Sequence, residues 1–279
     1  MSDAKTEVRD LVADEYHAET DYLSASMIKT FIGSRREFRS IYVAKESQKE
    51  SRSLNIGHVA HSLILEPHLI GEKVVEIPDF VLSKSGAKSG NNWKEFRDEH
   101  KGCILLKAGE MQIVRDMFNA VYGNPKAAKM LNAKGHTEHS IFGELNGQKY
   151  RARLDRIIPR KLVIDIKTTM DASPEAFERQ IRNLSYHVQG NLYKRLADAH
   201  YGGSHSVVFI AVSNSAPHCV ATYVLSADHM YEAEQTTIRT VEQIQECYET
   251  NDWREIWEKE LIELTPPRWW NPNSTVEAE

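Results

Sequence analysis

Cysteine is scarce in this chain of 279 residues, which has three cysteines and no CxxC pair. They stand far apart, at Cys103, Cys219 and Cys247. This spacing excludes a four-cysteine zinc or iron–sulfur site built from this chain alone. Because an odd number of scattered thiols also fits a reducing compartment, we expect a cytoplasmic protein.

Long apolar runs are missing as well. The chain contains no stretch of eighteen apolar residues, the length needed to span a bilayer. Its first residues, MSDAKTEVRDLVADEY, lack the apolar core of a signal peptide. We therefore expect neither secretion nor a membrane partner.

Positive charge is in deficit, since the formal net charge is −5. An acidic protein has no general attraction for nucleic acid, so any DNA contact must come from local basic patches. Two patches are candidates: Arg35, Arg36 and Arg39 follow a predicted helix, and Lys84 and Lys88 lie in a serine-rich segment. The alternatives are a solvated helix face for the arginines and a mobile loop for the lysines.

The composition is that of an ordinary globular protein. Hydrophobic residues make up 41% and charged residues 27% of the chain, which argues against general disorder. A chain of this length can bury a sizeable core, and we expect one large domain with short appendages.

The most informative stretch, RARLDRIIPRKLVIDIKTT over residues 151–169, predicts a β-hairpin with a loop at 159–161. On its second strand Asp165 and Lys167 are two residues apart and share one face. The three-residue loop sets Asp155 opposite Asp165. Like charges opposite each other destabilise a sheet unless a cation lies between them, and hard divalent ions prefer carboxylate oxygens. The pattern therefore indicates a metal-dependent hydrolase.

A second hairpin precedes this one. The turn Asn146-Gly147 lies between alternating runs, which is the strongest short hairpin pattern. Counting back from it puts Glu138 opposite Asp155, so that three carboxylates would lie in one row across neighbouring strands. A β-bulge would move one of them out of the row, and the alternative for Glu138 is a solvent-facing position.

Two helices carry further candidates. The apolar segment LNIGHVAHSLILEP has His58 and His61 three residues apart, although a lone histidine on such a helix is more often a hydrogen-bonded core residue. A later helix carries Tyr186, Gln189 and Tyr193 on one stripe, which by composition alone favours core packing.

The other elements follow from capping and periodicity. We predict two short helices over 24–42 with Ser24 or Ser26 as N-cap, a polar loop over 44–53, an amphipathic helix around Trp93, a helical region over 104–132 broken at Asn124-Pro125, a helix after Ser173-Pro174, strands over 206–213 and 219–226, and a long helix from Asp228 to about Glu249.

Four motifs of this chain resemble those of the PD-(D/E)XK nucleases of the RecB and RecE types. They are Gly57-x-x-x-His61, the strand with Asp155, Asp165-x-Lys167 and Gln189-x-x-x-Tyr193, in the family's order. The opening LSASMIKTFIGSRREF also resembles the start of RecE-type exonuclease domains, and the similarity covers roughly residues 22–250. One departure is Arg35, where that opening commonly has Ser-Pro.

The resemblance implies an α/β fold with a central mixed β-sheet flanked by helices. The residues themselves predict a flexible or helical lead-in over 1–21 and an extended tail over 265–279 that includes Trp269 and Trp270. The resemblance implies a nuclease domain over 22–264 between them. It also implies a metal site for Mg²⁺ or Mn²⁺, whose ligands would be His61, Asp155, Asp165 and the carbonyl of Ile166. Lys167 would orient the attacking water or stabilise developing charge, Gln189 and Tyr193 would position the reacting groups, and Glu138 is a further catalytic candidate.

By the same resemblance, the expected activity is that of a 5′→3′ exonuclease on double-stranded DNA ends, as in RecE-type and phage lambda exonuclease-like enzymes. A single-strand annealing protein would be its recombination partner, a ring-shaped trimer or tetramer its assembly, and a phage or prophage its source. Alternatives are a structure-specific or restriction-type endonuclease on the same fold and a non-catalytic DNA-binding protein.

Overall fold

The computed structural model describes residues 5–46 and 56–266. Most of the predicted polar loop and tail, including both tail tryptophans, therefore lies outside the described residues. The strands and helices are β1 Thr6–Val8, α1 Ala13–Ala18, β2 Leu23–Ser24, α2 Ala25–Gly33, α3 Arg35–Phe38, α4 Ile56–Leu65, β3 Val74–Ile77, α5 Asn91–Glu99, β4 Ile104–Lys107, α6 Ala108–Gly123, α7 Pro125–Leu131, β5 His136–Leu145, β6 Gln148–Ile158, β7 Leu162–Thr169, α8 Pro174–Asn183, α9 Tyr186–Tyr201, β8 Ser206–Ser213, β9 Val220–Val224 and α10 Ala227–Thr250.

A mixed sheet forms the centre of the molecule, with strand order β1-β5-β6-β7-β8-β9. The pairs along this path are antiparallel except β7 and β8, which run parallel. The short strand β2 pairs with β6 in parallel. Strands β3 and β4 form a separate two-stranded parallel sheet.

Strands β6 and β7 separate soon after their turn. Their ladder runs from Ile158↔Leu162 to Arg156↔Ile164 and includes no further pair. Beyond this point β6 pairs with β2 instead, at Tyr150. We call the opening between the two strands the fork. Because Asp155 is the next residue of β6, the fork begins at a predicted site residue.

Helices cover both faces of the sheet, as the alternation along β8 shows. Val207 and Phe209 belong to one buried cluster, which also includes residues of α2, α8, α9 and α10. Val208 and Ile210 belong to a second buried cluster, with α4, α6 and α7. Because β8 is apolar toward both faces, it is a fully buried strand of the kind found in parallel sheets.

Local sequence chemistry explains the ends of several elements. Ser24 is the N-cap of α2, and its side-chain oxygen accepts a hydrogen bond from the backbone N–H of Met27. Pro174 is the first residue of α8, where its missing N–H costs nothing. Asn146 and Gly147 both have positive φ, at 53° and 77°, as a type I′ hairpin turn requires. The two predicted hairpins therefore form in the predicted registers near their turns.

Two expectations need correction. The lead-in, expected to be flexible or helical, does contain the helix α1, but it also contributes the strand β1, which pairs with β5 through Thr6↔Gly143. The region assigned to helix from residue 104 onwards begins instead with strand β4. Both strands are too short to show a clear two-residue period in the sequence.

Within the described part of the chain, the helices are too short or too polar to cross a bilayer.

Candidate active site

Asp155 lies at the start of the fork and is held by two donors. Its Oδ2 is 2.8 Å from Nε2 of His61 on α4 and accepts a 2.7 Å hydrogen bond from the backbone N–H of Ile166 on β7. A side chain of β6 thus takes the backbone contact that a strand partner would otherwise make. This contact ties α4, β6 and β7 together at one point.

Asp165 lies on β7 and is almost fully buried, with 1% of its side chain exposed. Its Oδ1 accepts a 2.8 Å hydrogen bond from the side-chain amide of Gln189 on α9. Its Oδ2 is 2.6 Å from Nζ of Lys167, but the angles do not make this contact a good hydrogen bond, and the oxygen has no other partner in the described structure. We treat the contact as an ion pair because opposite charges attract at this distance whatever the angle.

The structure therefore brings together His61, Asp155, Asp165, Lys167 and Gln189. The phenolic oxygen of Tyr193, one turn along α9, accepts a 3.0 Å hydrogen bond from the Gln189 amide. His58, the other histidine of the motif helix, is exposed.

The charges of the site are strongly coupled. Burial opposes protonation of His61, but the Asp155 carboxylate outweighs burial and raises the pKa of His61 to about 9. Burial, followed by the charge of Asp155, raises the pKa of Asp165 to about 6. Burial also disfavours a charged Lys167, yet the two carboxylates together raise its pKa above the ordinary value. At neutral pH each carboxylate is thus paired with a cation of the protein.

Burial raises the pKa of Tyr193 well above its ordinary value. The phenol therefore stays neutral at physiological pH, and it accepts a hydrogen bond from Gln189 in this arrangement.

The predicted metal ligands match a divalent ion in chemical type. Two carboxylates and an imidazole converge on the fork, and Oδ2 of Asp165 is buried without a well-aligned donor. Such oxygens are the ligands that Mg²⁺ and Mn²⁺ prefer. No preassembled site is present, however: among residues 5–46 and 56–266, no three His, Cys, Asp or Glu side chains are placed to hold one ion. In this arrangement His61 contacts the carboxylate of Asp155, and Lys167 contacts the carboxylate of Asp165.

The predicted row of three carboxylates is not what the structure shows. The β5–β6 register does place Glu138 and Asp155 between the pairs Thr137↔Arg156 and His139↔Leu154. Glu138, however, has a φ of 50°, which is unusual for a residue with a side chain. Its carboxylate accepts a 2.6 Å hydrogen bond from Arg153.

The two aspartates of the expected row are also not an opposed pair. The β6–β7 ladder ends one pair before them. Asp155 is bound from α4 and Asp165 from α9, because the strands diverge at the fork and ideal pleating no longer applies. The carboxylate of Glu138 still influences the site, since its charge favours the protonated form of His61.

The predicted DNA-contacting cations differ in their surroundings. Arg35 is buried with its guanidinium over the ring of Phe31, and Arg36 makes a two-pronged ion pair with Glu258. The Lys88 ammonium donates to the carbonyl of Leu105. The remaining two, Arg39 and Lys84, are exposed. DNA contact by these residues stays a prediction.

Sequence reasoning missed one member of the site, Lys29 on α2. Its ammonium donates a 3.0 Å hydrogen bond to Oε1 of Gln189. The segment LSASMIKTFIGSRREF resembles the start of RecE-type domains, but a single lysine in an amphipathic helix gives no pattern that points to a site.

A comparison with curated proteins finds no match. A comparison with solved structures supports the architecture described above. Among solved structures, a protein from Eubacterium rectale described as a "putative exonuclease" superposes with a TM-score of 0.60 over 96% of this chain and 100% of its own, at 13% identity. The match to the structure of SSO0001 covers 65% of this chain and 84% of that chain at 18% identity. Its TM-score of 0.26 is too low to support an inference about this chain. At such identities the likeness shows the fold alone, and the predicted α/β fold is confirmed.

The family comparison covers most of the chain. Residues 24–259 match the family described as "PDDEXK-like domain of unknown function (DUF3799)". This range contains the fork, both hairpins and the helices that carry His61 and Gln189. Families of this type typically use a divalent metal. The chain belongs to the PDDEXK-like family.

Proposed function

We propose that this protein is a metal-dependent DNA exonuclease that degrades double-stranded DNA from its 5′ ends and leaves 3′ single strands. One observation carries the proposal: the fork of a PDDEXK-like sheet holds the half-buried carboxylate of Asp155, the buried carboxylate of Asp165 and a lysine, with His61 and Gln189 in contact with those carboxylates. Membership of the family supports the assignment to phosphodiester hydrolysis. The polarity and the preference for ends rest on the resemblance to RecE-type nucleases.

The donor set indicates which groups would hold an ion. Asp155, Asp165, His61 and the carbonyl of Ile166 would bind Mg²⁺ or Mn²⁺. The bound ion would activate a water molecule and neutralise charge on the scissile phosphate. For this to happen His61 must give up its proton, because only a neutral imidazole ligates a metal.

The protein's own groups supply positioning and charge. Lys167, whose pKa lies above its ordinary value, keeps its proton and can stabilise negative charge developing on the phosphate. Gln189 fixes the Asp165 carboxylate through Oδ1. Tyr193 in turn accepts a hydrogen bond from that amide. These fixed contacts keep the reacting groups oriented before substrate arrives.

The test is digestion of linear and covalently closed circular duplex DNA by the purified protein with Mg²⁺ or Mn²⁺. Linear DNA carries a label at either its 5′ or its 3′ end. We expect early release of the 5′ label and an intact circle. Cleavage of the circle would instead favour the endonuclease alternative, and binding without any cleavage would favour the non-catalytic one.

We also propose a ring-shaped trimer or tetramer and a single-strand annealing protein as partner. The physical support is the net charge of −5: a chain with little general attraction for phosphates needs another means of staying on DNA, and enclosure by a ring supplies one. Light scattering at micromolar concentration should give three or four times the monomer mass of 31.9 kDa. A monomer would contradict this proposal.

A further inference from the structure

Lys29 points from α2 toward the site and shares an acceptor with Lys167. Its Nζ donates to Oε1 of Gln189 at 3.0 Å, and Nζ of Lys167 donates to the same oxygen at 3.3 Å. Two ammonium groups from different elements therefore converge on one amide oxygen. An amide oxygen has two lone pairs and can accept both.

We expect a charged Lys29 in this position to cost folding free energy. Lys29 is half-buried, and within residues 5–46 and 56–266 no carboxylate lies at ion-pair distance from its ammonium. Burial and the like charge of Lys167 lower the pKa of Lys29, and the charge of Asp165 offsets them only in part. Both lysines also lie near the face of the Tyr186 ring, at 5.6 Å and 4.6 Å. Buried charges normally have an opposite charge beside them. Departures from that rule are concentrated at functional sites.

The two lysines fix the orientation of Gln189. An ammonium group can only donate and a carboxylate can only accept, so the amide oxygen must face the lysines and the amide nitrogen must face Asp165. In the structure this nitrogen donates to Oδ1 of Asp165 at 2.8 Å and to Tyr193 at 3.0 Å. A reversed amide would place a donor against two donors.

We propose that Lys29 is a positioning residue: its positive charge holds Gln189 in the orientation that aligns Asp165 and Lys167 for phosphodiester hydrolysis. The inference rests on the proposed nuclease function for its kinetic consequences. Its structural core, the control of the Gln189 amide by the charge on Lys29, is independent of that function.

The charge on Lys29 is sensitive to pH. Burial, followed by the positive charge of Lys167, lowers the pKa of Lys29 to about 8. The groups that face it are Lys167 and Asp165 from β7 and Tyr186 from α9. A charge-based positioning role therefore predicts that activity declines as Lys29 loses its proton, and that arginine, which stays charged, removes this decline.

The experiment compares wild-type protein with Lys29→Met, Lys29→Arg and the control Lys129→Met from pH 6 to pH 10. Lys129 is exposed on α7, a helix that contributes no residue to the site. Cleavage of an end-labelled linear duplex with Mg²⁺ gives kcat and KM, and thermal unfolding reports folding. A second readout is the protection of the Gln189 side-chain amide protons from exchange, measured by NMR without metal or DNA.

We expect Lys29→Met to lower kcat by about 10- to 100-fold with little change in KM, as loss of a supporting contact at a metal site typically does. Lys29→Arg should keep most of the activity at pH 7 and remain active above pH 9, where the wild type declines. The control should behave as wild type. Gln189 amide protection should fall in Lys29→Met and persist in Lys29→Arg.

Several results would overturn the proposal: Lys29→Met with wild-type kcat, Lys29→Arg as impaired as Lys29→Met, an effect on KM alone, or unchanged Gln189 protection. If Lys29→Met does not fold, the pH profile and amide protection of Lys29→Arg against wild type decide the question. If the wild type cleaves no DNA, the proposed function fails, whereas the amide measurement still tests the role of Lys29.

Discussion

At the scale of single residues, the site is a set of charges that neutralise one another in pairs, with Asp165 buried and the other three partly buried. His61 pairs with Asp155 at 2.8 Å and Lys167 pairs with Asp165 at 2.6 Å. Isolated buried charges are costly, so these pairs keep the metal-free site folded. The same pairs must rearrange for a metal to bind, because His61 then has to become neutral.

We predict that the His61–Asp155 pair makes the stability of the metal-free protein depend on pH. The folded-state pKa of His61 is about 9, above its unfolded value of about 6.5. The pair therefore contributes fully below about pH 6.5 and loses its contribution as pH rises through 9. In urea unfolding with a chelator present, His61→Gln should destabilise by an amount on the order of 1 to 3 kcal/mol at pH 6 and by much less at pH 9.5.

A matched control for this prediction is His58→Gln. His58 lies on the same helix, is exposed and has no ion-pair partner among the described residues. It should change stability little at either pH. A destabilisation by His61→Gln that stays constant from pH 6 to pH 9.5 would show that packing, not charge, explains the role of His61.

At the scale of elements, the hairpins could be predicted because their turns carry the decisive chemistry. The turn Asn146-Gly147 fixes Leu145 opposite Gln148, and the loop after Ile158 fixes Ile158 opposite Leu162. The fork could not be predicted, because the strand that pairs with β6 beyond it is β2, a two-residue strand with no period of its own. The expected row of carboxylates was wrong because the β6–β7 ladder ends before Asp155 and because Glu138 has a positive φ.

Some side-chain positions also lay beyond sequence reasoning. Glu138 occupies its predicted register, but a φ of 50° redirects the residue. Lys29 lies on α2, which begins at Ala25 directly after β2 ends against β6, and its contact with Gln189 depends on that placement. Both outcomes depend on three-dimensional packing, whereas spacing in a sequence reports only which residues share a face.

The β5–β6 turn gives a prediction for one element. Gly147 has a φ of 77°, a conformation that alanine adopts at a cost, so Gly147→Ala should destabilise by about 1 kcal/mol. Gly109 has no positive φ, lies near the start of α6 and has open space at its Cβ. Gly109→Ala should therefore be neutral or slightly stabilising. Urea unfolding measures both, and equal effects would contradict the predicted role of the turn.

At the scale of the whole molecule, one sheet contributes residues to the two larger buried clusters. Val163 contributes to the cluster with α9, and its neighbour Ile164 contributes to the cluster with α4. Neither cluster can lose its packing without exposing the same strands. We therefore predict one cooperative unfolding transition, with far-UV circular dichroism and tryptophan fluorescence coinciding in urea. Two separate transitions would show that the faces unfold independently.

The central claim is that the groups at the fork hydrolyse DNA, and single-turnover cleavage of a linear duplex tests it most directly. The comparison is wild type against Asp165→Asn and Lys167→Met, with Asp171→Asn, an exposed carboxylate in the loop after β7, as control. With Mg²⁺ we expect the wild type and control to cleave, and both site variants to lose about 10²-fold or more in rate while remaining folded. The chelator EDTA should abolish cleavage. Cleavage by Asp165→Asn within tenfold of the wild-type rate, or unchanged cleavage in EDTA, would contradict the account.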